Sequence, residues 1–223
     1  SLSTSMTTHP AIAAARAGAR VSLIGALAND QLSKTISDTL RREGIITSAM
    51  AQSEKQTGVN QTIISPNGSK TSFSTMGAHN DIYADQITKT ILAPRHLILL
   101  HDDVPDEDNM KVIKHAKEHG AKCIMTFNES PSEEILKNLD IAIISSGVGI
   151  DENSHSNVIH ANSNGFDCFC GTFAACYQAQ YTIARSIEYA TCAQKLYSES
   201  AYVGYAALPY LGDIENIIKQ DQT

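Results

Sequence analysis

One acidic side chain stands at a chemically suggestive place in the segment NGFDCFCGTFAA, residues 164–175. Asp167 follows a glycine by two positions and precedes a run of small and apolar residues that predicts the first turns of a helix. The N–H groups at a helix N-terminus attract anions, so a carboxylate there can be a helix cap or a functional acid beside a bound anion. These residues alone leave both interpretations open.

The elements that must position Asp167 follow a repeated order. AIAAARAGARVSLIGAL, residues 11–27, predicts an alanine-rich helix ending at Gly18 and a strand over residues 20–27. QLSKTISDTLRREG predicts a helix ending at Gly44. EDNMKVIKHAKEHG leads into AKCIMTF, and SPSEEILKNL leads into DIAIISS. Three helix-to-strand units indicate an α/β fold with a mostly parallel sheet flanked by helices.

The chain after Asp167, residues 167–196, forms the next predicted helical block. Small residues recur on one side of it, and we expect that side to let the helix lie close to the sheet or to a ligand. These residues are Gly171, Ala174, Ala175 and Ala179. Ligands of α/β sheets bind beyond the carboxyl ends of the strands, so an acid at this helix start would face a bound anion.

One segment departs from the α/β order. TGVNQTIISPNGSKTSFSTMGAHND, residues 57–81, has two stretches rich in Thr, Ile and Ser around a turn signal, which predicts a β-hairpin. We expect it to leave the main sheet as an inserted β lid between the α/β parts 1–56 and 82–223. It would close over the substrate cleft or pair with its copy in a homodimer. An ordinary edge hairpin is the alternative.

Composition restricts the class of protein. The chain has 223 residues, 42% of them hydrophobic, enough for one sizeable domain with a buried core. Its formal charge of −7 and the lack of a polybasic cluster argue against nucleic acid as a partner. No run approaches the roughly 18 apolar residues of a membrane span, and no signal peptide is evident, so we expect a cytoplasmic protein.

The five cysteines are odd in number and lie mostly in apolar or small-residue stretches, as reduced, buried thiols do. Cys168 and Cys170 are two positions apart, which is not the spacing of a zinc knuckle or a redox motif. We therefore interpret the cysteines as structural, and the sequence assigns no residue to a metal.

Four segments, taken in order, resemble the ribokinase-like sugar kinases, also called the PfkB carbohydrate kinase family. They are AAARAGARVSLIGALAND, TGVNQTIISPNGSKTSFSTMGAHND, LILLHDDVPDE and GFDCFCGTFAA. The family usually has Gly-Ala-Gly-Asp, then Thr-Phe and a glycine, where this chain has Asp167, Phe169 and Gly171. The resemblance implies transfer of phosphate from ATP, with Mg²⁺, to a hydroxymethyl group of a sugar or nucleoside.

The resemblance also implies roles for residues around the last motif. Asp167 would be the catalytic base that takes the proton from the attacking hydroxyl. The backbone N–H groups of Asn164, Gly165 and Phe166 would form an anion hole for the transferring phosphoryl group. Positioning and charge stabilisation are what phosphoryl transfer requires, and a helix N-terminus supplies both.

Two strand-end residues carry over from the family as substrate-binding candidates. Asp103 in LILLHDDVPDE matches an acid that the family commonly has near the substrate, where we expect it to bind a sugar hydroxyl. A solvated turn acid is the alternative. Asn128 in CIMTFNESP matches a strand-end polar residue of the family, and an asparagine that caps its own turn explains it equally.

The chain departs from the family pattern at several sites. Thr4 and Ser5 replace a glycine pair, and His9 replaces a sugar-binding asparagine. His9 could bind a hydroxyl or simply belong to a helix start. Phe166 replaces the glycine before the aspartate, and a side chain there would strain a backbone that needs positive φ, so we expect catalysis to be slowed or lost.

Length is the largest departure. The family's first strand with a sugar-binding aspartate, and a later Asn-x-x-Glu segment linked to magnesium, have no match. A parallel sheet without its first strand would expose an apolar edge, so we expect the natural protein to exceed 24.0 kDa.

The sequence supports three hypotheses of function: a sugar kinase, a degenerate kinase fold that binds a metabolite or partner without turnover, and a dinucleotide-dependent oxidoreductase. The last lacks a Gly-x-Gly-x-x-Gly motif.

Overall fold

The structure of the protein, a computed structural model, describes residues 8–81, 84–150 and 157–221. The elements in chain order are α1 (Thr8–Arg16), β1 (Ala26–Leu27), α2 (Gln31–Arg42), β2 (Ala51–Gln52), β3 (Thr57–Ile64), β4 (Lys70–Gly77), α3 (Ala84–Thr88), β5 (Leu97–His101), α4 (Asp106–Glu118), β6 (Lys122–Phe127), α5 (Glu133–Leu136), β7 (Ile141–Ser145), β8 (Val158–Ala161), α6 (Phe166–Gln178), α7 (Ile183–Glu199) and α8 (Leu211–Asp221). Short 3₁₀ turns span Ala78–Asp81 and Gly204–Ala207.

The central sheet has four parallel strands in the order β5-β6-β7-β8. Alternate residues of a strand face opposite sides, and the two sides have different cores. Met125 and Ile144 pack with α4 and α5, whereas Ile124 and Ile143 pack against the aromatic face of α6. The predicted α/β fold, a mostly parallel sheet flanked by helices, is confirmed.

The small-residue side of α6 contacts the helix α1 and not the sheet, which corrects the expectation of close packing on the sheet. A Cβ atom added at Gly171 would lie 2.2 Å from the Pro10 carbonyl oxygen and 2.8 Å from the Ala13 Cβ. Ala175 packs with Ala14 and its neighbours on the same helix. The sequence pattern identified a close approach but not its partner. This contact between α1 and α6 brings the start of α1 beside the start of α6.

The strand expected over residues 20–27 is shorter than predicted. Only Ala26–Leu27 is a strand, paired in parallel with Ala51–Gln52, and Ser22 makes an isolated bridge to Ile46. A β-strand exists only where a neighbour accepts its hydrogen bonds, and here the 46–52 segment pairs at separate points. The propensity of the residues was therefore not enough to extend the strand.

The hairpin of residues 57–81 leaves the main sheet as expected. β3 and β4 form their own antiparallel two-stranded sheet, with a turn over residues 65–69. Asp30, the N-cap of α2, anchors its base by accepting hydrogen bonds from the Thr57 N–H at 2.8 Å and its hydroxyl at 2.7 Å. Val59, Ile63 and Phe73 are exposed on it. Its role as a lid or dimer contact stays a prediction.

The helical block after Asp167 is two helices, which corrects the expected single run. Gln180 adopts φ +68°, a left-handed conformation that ends α6. Thr182 then caps α7 by accepting a hydrogen bond from the Arg185 N–H. Because the break reverses the chain, α7 returns beside α6 and packs against it.

All five cysteines are free, and four of them are buried. Burial raises the pKa of Cys123 and Cys168 to about 12 and of Cys176 to about 11. Thiols with such pKa values are unreactive at neutral pH, as structural cysteines are. In the part of the chain that the structure describes, no helix has the length and apolar character needed to cross a bilayer.

Candidate active site

Asp167 is the second residue of α6, so it is not the helix cap. The N-cap is Gly165, whose φ of +74° turns the chain into the helix. Phe166 is the first helical residue and is buried in the core beside the sheet. Among the described residues, the non-glycine residue with positive φ is Gln180. The strain expected at Phe166 is therefore absent, because the left-handed conformation falls one residue earlier, on a glycine.

The turn before α6 is held by a residue that the sequence patterns did not identify. The buried Gln194 of α7 donates hydrogen bonds through Nε2 to the carbonyl oxygens of Asn162 and Asn164, at 2.8 and 2.9 Å. A Cβ added at Gly165 would lie 3.0 Å from Tyr197 Cδ1, so a side chain there would require a shift of α7 side chains in addition to the strain of the positive φ. The sequence signal that could have identified Gln194 is a polar residue on the inner face of a predicted helix.

The anion hole predicted from Asn164, Gly165 and Phe166 lies at the start of α6. The Phe166 N–H already donates to the Ser163 carbonyl at 3.3 Å, a long turn hydrogen bond. The first bond that continues into the helix runs from the Phe169 N–H to the Gly165 carbonyl at 3.0 Å. The N–H groups between them belong to the first turn, which lacks intrahelical acceptors. They are those of Asp167 and Cys168, which we add as candidates.

His9 lies against Asp167. It is the second residue of α1, and its Nδ1 is 3.7 Å from Asp167 Oδ2, a separation longer than a hydrogen bond. Its Nε2 is buried and has no hydrogen-bond partner among the described residues. Burial lowers the pKa of His9, so the ring is neutral at pH 7. The close approach of α1 and α6 explains its position, and an unsatisfied ring nitrogen is what a hydroxyl-bearing ligand could use.

Asp103 is paired and not a solvated turn acid. His79, in the 3₁₀ turn after the hairpin, places Nε2 at 3.0 Å from Asp103 Oδ2, and the two side chains are 20% and 23% exposed. The other carboxylate oxygen of Asp103 is buried without a partner among the described residues. His79 was not singled out from the sequence, because only folding brings the hairpin end to the end of β5.

The interaction between His79 and Asp103 shifts the pKa of both side chains. The hydrogen bond that His79 donates to Asp103 raises the pKa of His79 despite burial. Burial works against ionisation of Asp103, but the His79 hydrogen bond and the charges of His101 and His79 outweigh it and lower the pKa of Asp103. Asp103 is therefore ionised throughout the neutral range.

The two strand-end loops beside Asp103 support each other. Asn109 of α4 is buried and donates through Nδ2 to the carbonyl oxygens of His101 and Val104, at 3.1 and 2.9 Å. Asp102 accepts the N–H of Asn128 at 2.6 Å. Asn128 thus lies at the same sheet edge with an exposed side chain, and its ligand role stays a prediction. Thr4 and Ser5 lie outside the described residues.

The pKa of Asp167 is raised to about 6, first by burial and then by the negative charge of Asp103. A base works best when its pKa lies close to the working pH, where it is ionised yet still accepts a proton readily. The environment of Asp103 lowers its pKa, whereas that of Asp167 raises its pKa. Pairs of carboxyl groups with pKa values shifted in opposite directions are common in sites of acid–base chemistry.

The family model of the pfkB family carbohydrate kinases matches residues 10–144, more than half of the chain. The protein therefore belongs to this family, and the resemblance read from the four sequence segments is confirmed. No curated protein sequence matches the chain.

Solved structures show the same fold. The Arabidopsis thaliana ribokinase complexed with ribose and ATP superposes with a TM-score of 0.81 at 15% identity, over 97% of this chain and 87% of that one. The Thermotoga maritima ribokinase gives 0.78 at 16%, over 97% and 87%. The Xylella fastidiosa fructokinase with bound ATP gives 0.78 at 13%, over 99% and 91%. At these identities the similarity establishes the fold.

We predict that Asp103→Asn lowers the pKa of Asp167, because it removes the charge that opposes ionisation of the carboxyl. The ¹³C NMR titration of the Asp167 carboxyl, assigned by its loss in Asp167→Asn, should have a midpoint near pH 6 in the parent. The midpoint should move toward lower pH in Asp103→Asn. Asp106→Asn, at the start of α4, is the matched control and should leave it in place. An unmoved midpoint in Asp103→Asn would show that burial alone sets this pKa.

Proposed function

We propose that this protein transfers the γ-phosphoryl group of ATP to a hydroxymethyl group of a sugar or nucleoside. The observation that carries the proposal is the Asp167 carboxylate at the first turn of α6, with a pKa of about 6 and with His9 beside it. Membership of the pfkB family supports the reaction class. The ribose and ATP of the Arabidopsis ribokinase structure support the ligand class.

In this reaction the substrate hydroxyl donates its proton to the Asp167 carboxylate as its oxygen attacks the γ-phosphorus, and ADP leaves. The first-turn N–H groups of α6 donate hydrogen bonds to the phosphoryl oxygens, whose charge must be spread in the transition state. The Nε2 of His9 and the unpartnered oxygen of Asp103 bind and orient other hydroxyls of the substrate. Orientation of the nucleophile contributes to the rate together with the base.

The described residues do not fit a protein-built magnesium site at this edge. Mg²⁺ prefers carboxylate and other oxygen ligands, but Asp103 is paired with His79, and the family's Asn-x-x-Glu segment is absent from the sequence. Within the described part of the chain, the group of side chains close enough together to hold a metal ion lies elsewhere, on α4. Magnesium would therefore arrive as part of the nucleotide substrate, MgATP.

The test is ADP release from MgATP in the presence of a panel of sugars and nucleosides. We expect one class of hydroxymethyl compound to stimulate release well above the rate with ATP alone. Asp167→Asn is the inactive control, and Asp213→Asn, at the start of α8, is a carboxylate control away from the site. No stimulation by any compound, with binding of one still measurable by calorimetry, would contradict turnover.

That outcome would favour the second candidate, a kinase fold that binds a metabolite or partner without turnover. Two observations favour it specifically. Asp103, the expected sugar ligand, is already engaged by His79, and the chain lacks the Asn-x-x-Glu segment. ADP release separates the candidates, because substrate affinity survives replacement of Asp167 in both cases, whereas only the kinase releases ADP in the parent and loses that release in Asp167→Asn.

A further inference from the structure

A separate group of metal-ligating side chains lies at the C-terminal end of α4. His115, Glu118 and His119 each offer one ligand atom, and these three atoms lie within 4.8 Å of one another. Residues spaced three and four apart share one face of a helix. His115 is half-buried, and the other two side chains are exposed. The group is therefore reachable from solvent without any opening of the core.

Hydrogen bonds fix which ring nitrogens are available. His119 Nδ1 lies 2.8 Å from the His115 carbonyl oxygen, and His115 Nε2 lies 3.3 Å from the Thr90 carbonyl oxygen. A carbonyl oxygen only accepts, so both of these nitrogens carry the proton. The remaining nitrogens, His115 Nδ1 and His119 Nε2, then carry lone pairs. Metal-ligating histidines are held in this way, with the second ring N–H donated to a carbonyl or carboxylate.

The charges around the group favour a cation. The last turn of a helix carries the negative end of its dipole. Lys117, which precedes Glu118 in sequence, donates to Asn138 Oδ1 at 2.9 Å. In the described ranges of the chain, Glu118 takes part in no ion pair, so its carboxylate is not already neutralised by a cation.

The group lies at the opposite edge of the sheet from Asp103 and Asp167. α4 begins just after the carboxyl end of β5 and ends just before the first residue of β6, so its C-terminus is at the edge where parallel strands begin. Its last turn packs on the 89–96 segment, where a Cβ at Gly120 would lie 3.2 Å from Pro94 Cγ. The group therefore takes no part in the proposed phosphoryl transfer.

We propose that His115, Glu118 and His119 bind a zinc ion. Two imidazoles and one carboxylate form a ligand set that zinc uses, with a fourth position left to water. Ligand atoms on tetrahedral zinc are about 3.3 Å apart, so binding would draw together the three ligand atoms, which now lie within 4.8 Å of one another. The bound ion would stabilise the last turn of α4, where His115 already contacts the Thr90 carbonyl oxygen.

The test is calorimetric titration of ZnCl₂ into the full chain at pH 7.5 in a non-chelating buffer. His119→Ala should lose one equivalent of zinc or weaken its binding at least tenfold, and Glu118→Gln should weaken it less. His160→Ala, an exposed histidine on β8, is the matched control and should bind as the parent does.

Circular dichroism of each variant confirms that it is folded. Because His119 and Glu118 are exposed, their replacement leaves the fold intact, and these two variants decide the matter if His115→Ala is unstable. Failure of the parent to bind zinc, or unchanged binding in His119→Ala, would overturn the proposal. ADP release from MgATP is the same in His119→Ala as in the parent, so failure here is distinguishable from failure of the proposed kinase activity.

Discussion

Asp167→Asn should slow ADP release by about a hundredfold or more while the affinity for the sugar or nucleoside largely survives. General-base catalysis contributes roughly 10²–10⁴ to a rate, and asparagine keeps the size of the side chain but cannot accept the proton. The measurement is kcat with MgATP and the best substrate from the panel, beside calorimetric binding of that substrate. A variant that turns over at close to the parent rate would remove Asp167 from catalysis.

The same variant tests the environment of the carboxylate through stability. A rise of the pKa from 3.8 to about 6 corresponds to roughly 3 kcal/mol of unfavourable free energy for the ionised form. The side chain is 29% exposed, and solvent screening reduces this to about 1–2 kcal/mol. The helix dipole acts in the opposite direction by about 0.3–1 kcal/mol. We therefore expect Asp167→Asn to melt a few degrees above the parent at pH 7.5.

The sign of the pH dependence follows from the raised pKa. Between pH 4 and pH 6 the folded state binds the proton more tightly than the unfolded state, so this group lowers stability progressively as the pH rises through that window. Thermal melts of the parent and Asp167→Asn should therefore coincide near pH 4 and separate above pH 6. A variant less stable than the parent at every pH would indicate that the carboxylate mainly stabilises the helix start.

Local patterns predicted the elements well, because they depend on neighbours in sequence. The helical spacing of the 107–120 segment and the Gly-terminated ends of α1 and α2 need no long-range information. The strand over residues 20–27 was overestimated because strand length depends on a partner elsewhere in the chain. The small-residue face of α6 was correctly identified as a close contact, but its partner α1 could not be inferred from spacing.

The candidate site was only partly predictable, because it depends on contacts between residues that are distant in sequence. Asp167, Asp103 and His9 came from a motif resemblance, and the structure brings these three to one edge. His79 and Gln194 were not found, because each acts on a partner more than 20 positions away. The expectation of strain at Phe166 was wrong because the motif alone does not show which residue takes the left-handed conformation.

Arg16→Met should lower the free energy of unfolding by about 3–5 kcal/mol. Arg16 ends α1 and holds Glu43 with two hydrogen bonds, at 2.9 and 2.7 Å, in a pair whose side chains are 8% and 13% exposed. Removing one partner of a buried pair leaves an uncompensated charge, which is more costly than losing the attraction itself. Arg16 also donates to the carbonyl oxygens of Tyr205 and Leu208.

The double variant Arg16→Met/Glu43→Leu separates the charge from the other contacts. Removing both charges should recover a substantial part of the loss, because no buried carboxylate then remains unpaired. Arg20→Met, at an exposed position just after α1, is the matched control and should change stability by no more than about 0.5 kcal/mol. Urea unfolding measures all three. Since α1 also carries His9, a loss below 1 kcal/mol in Arg16→Met would mean that the contact with α6 alone fixes this helix beside Asp167.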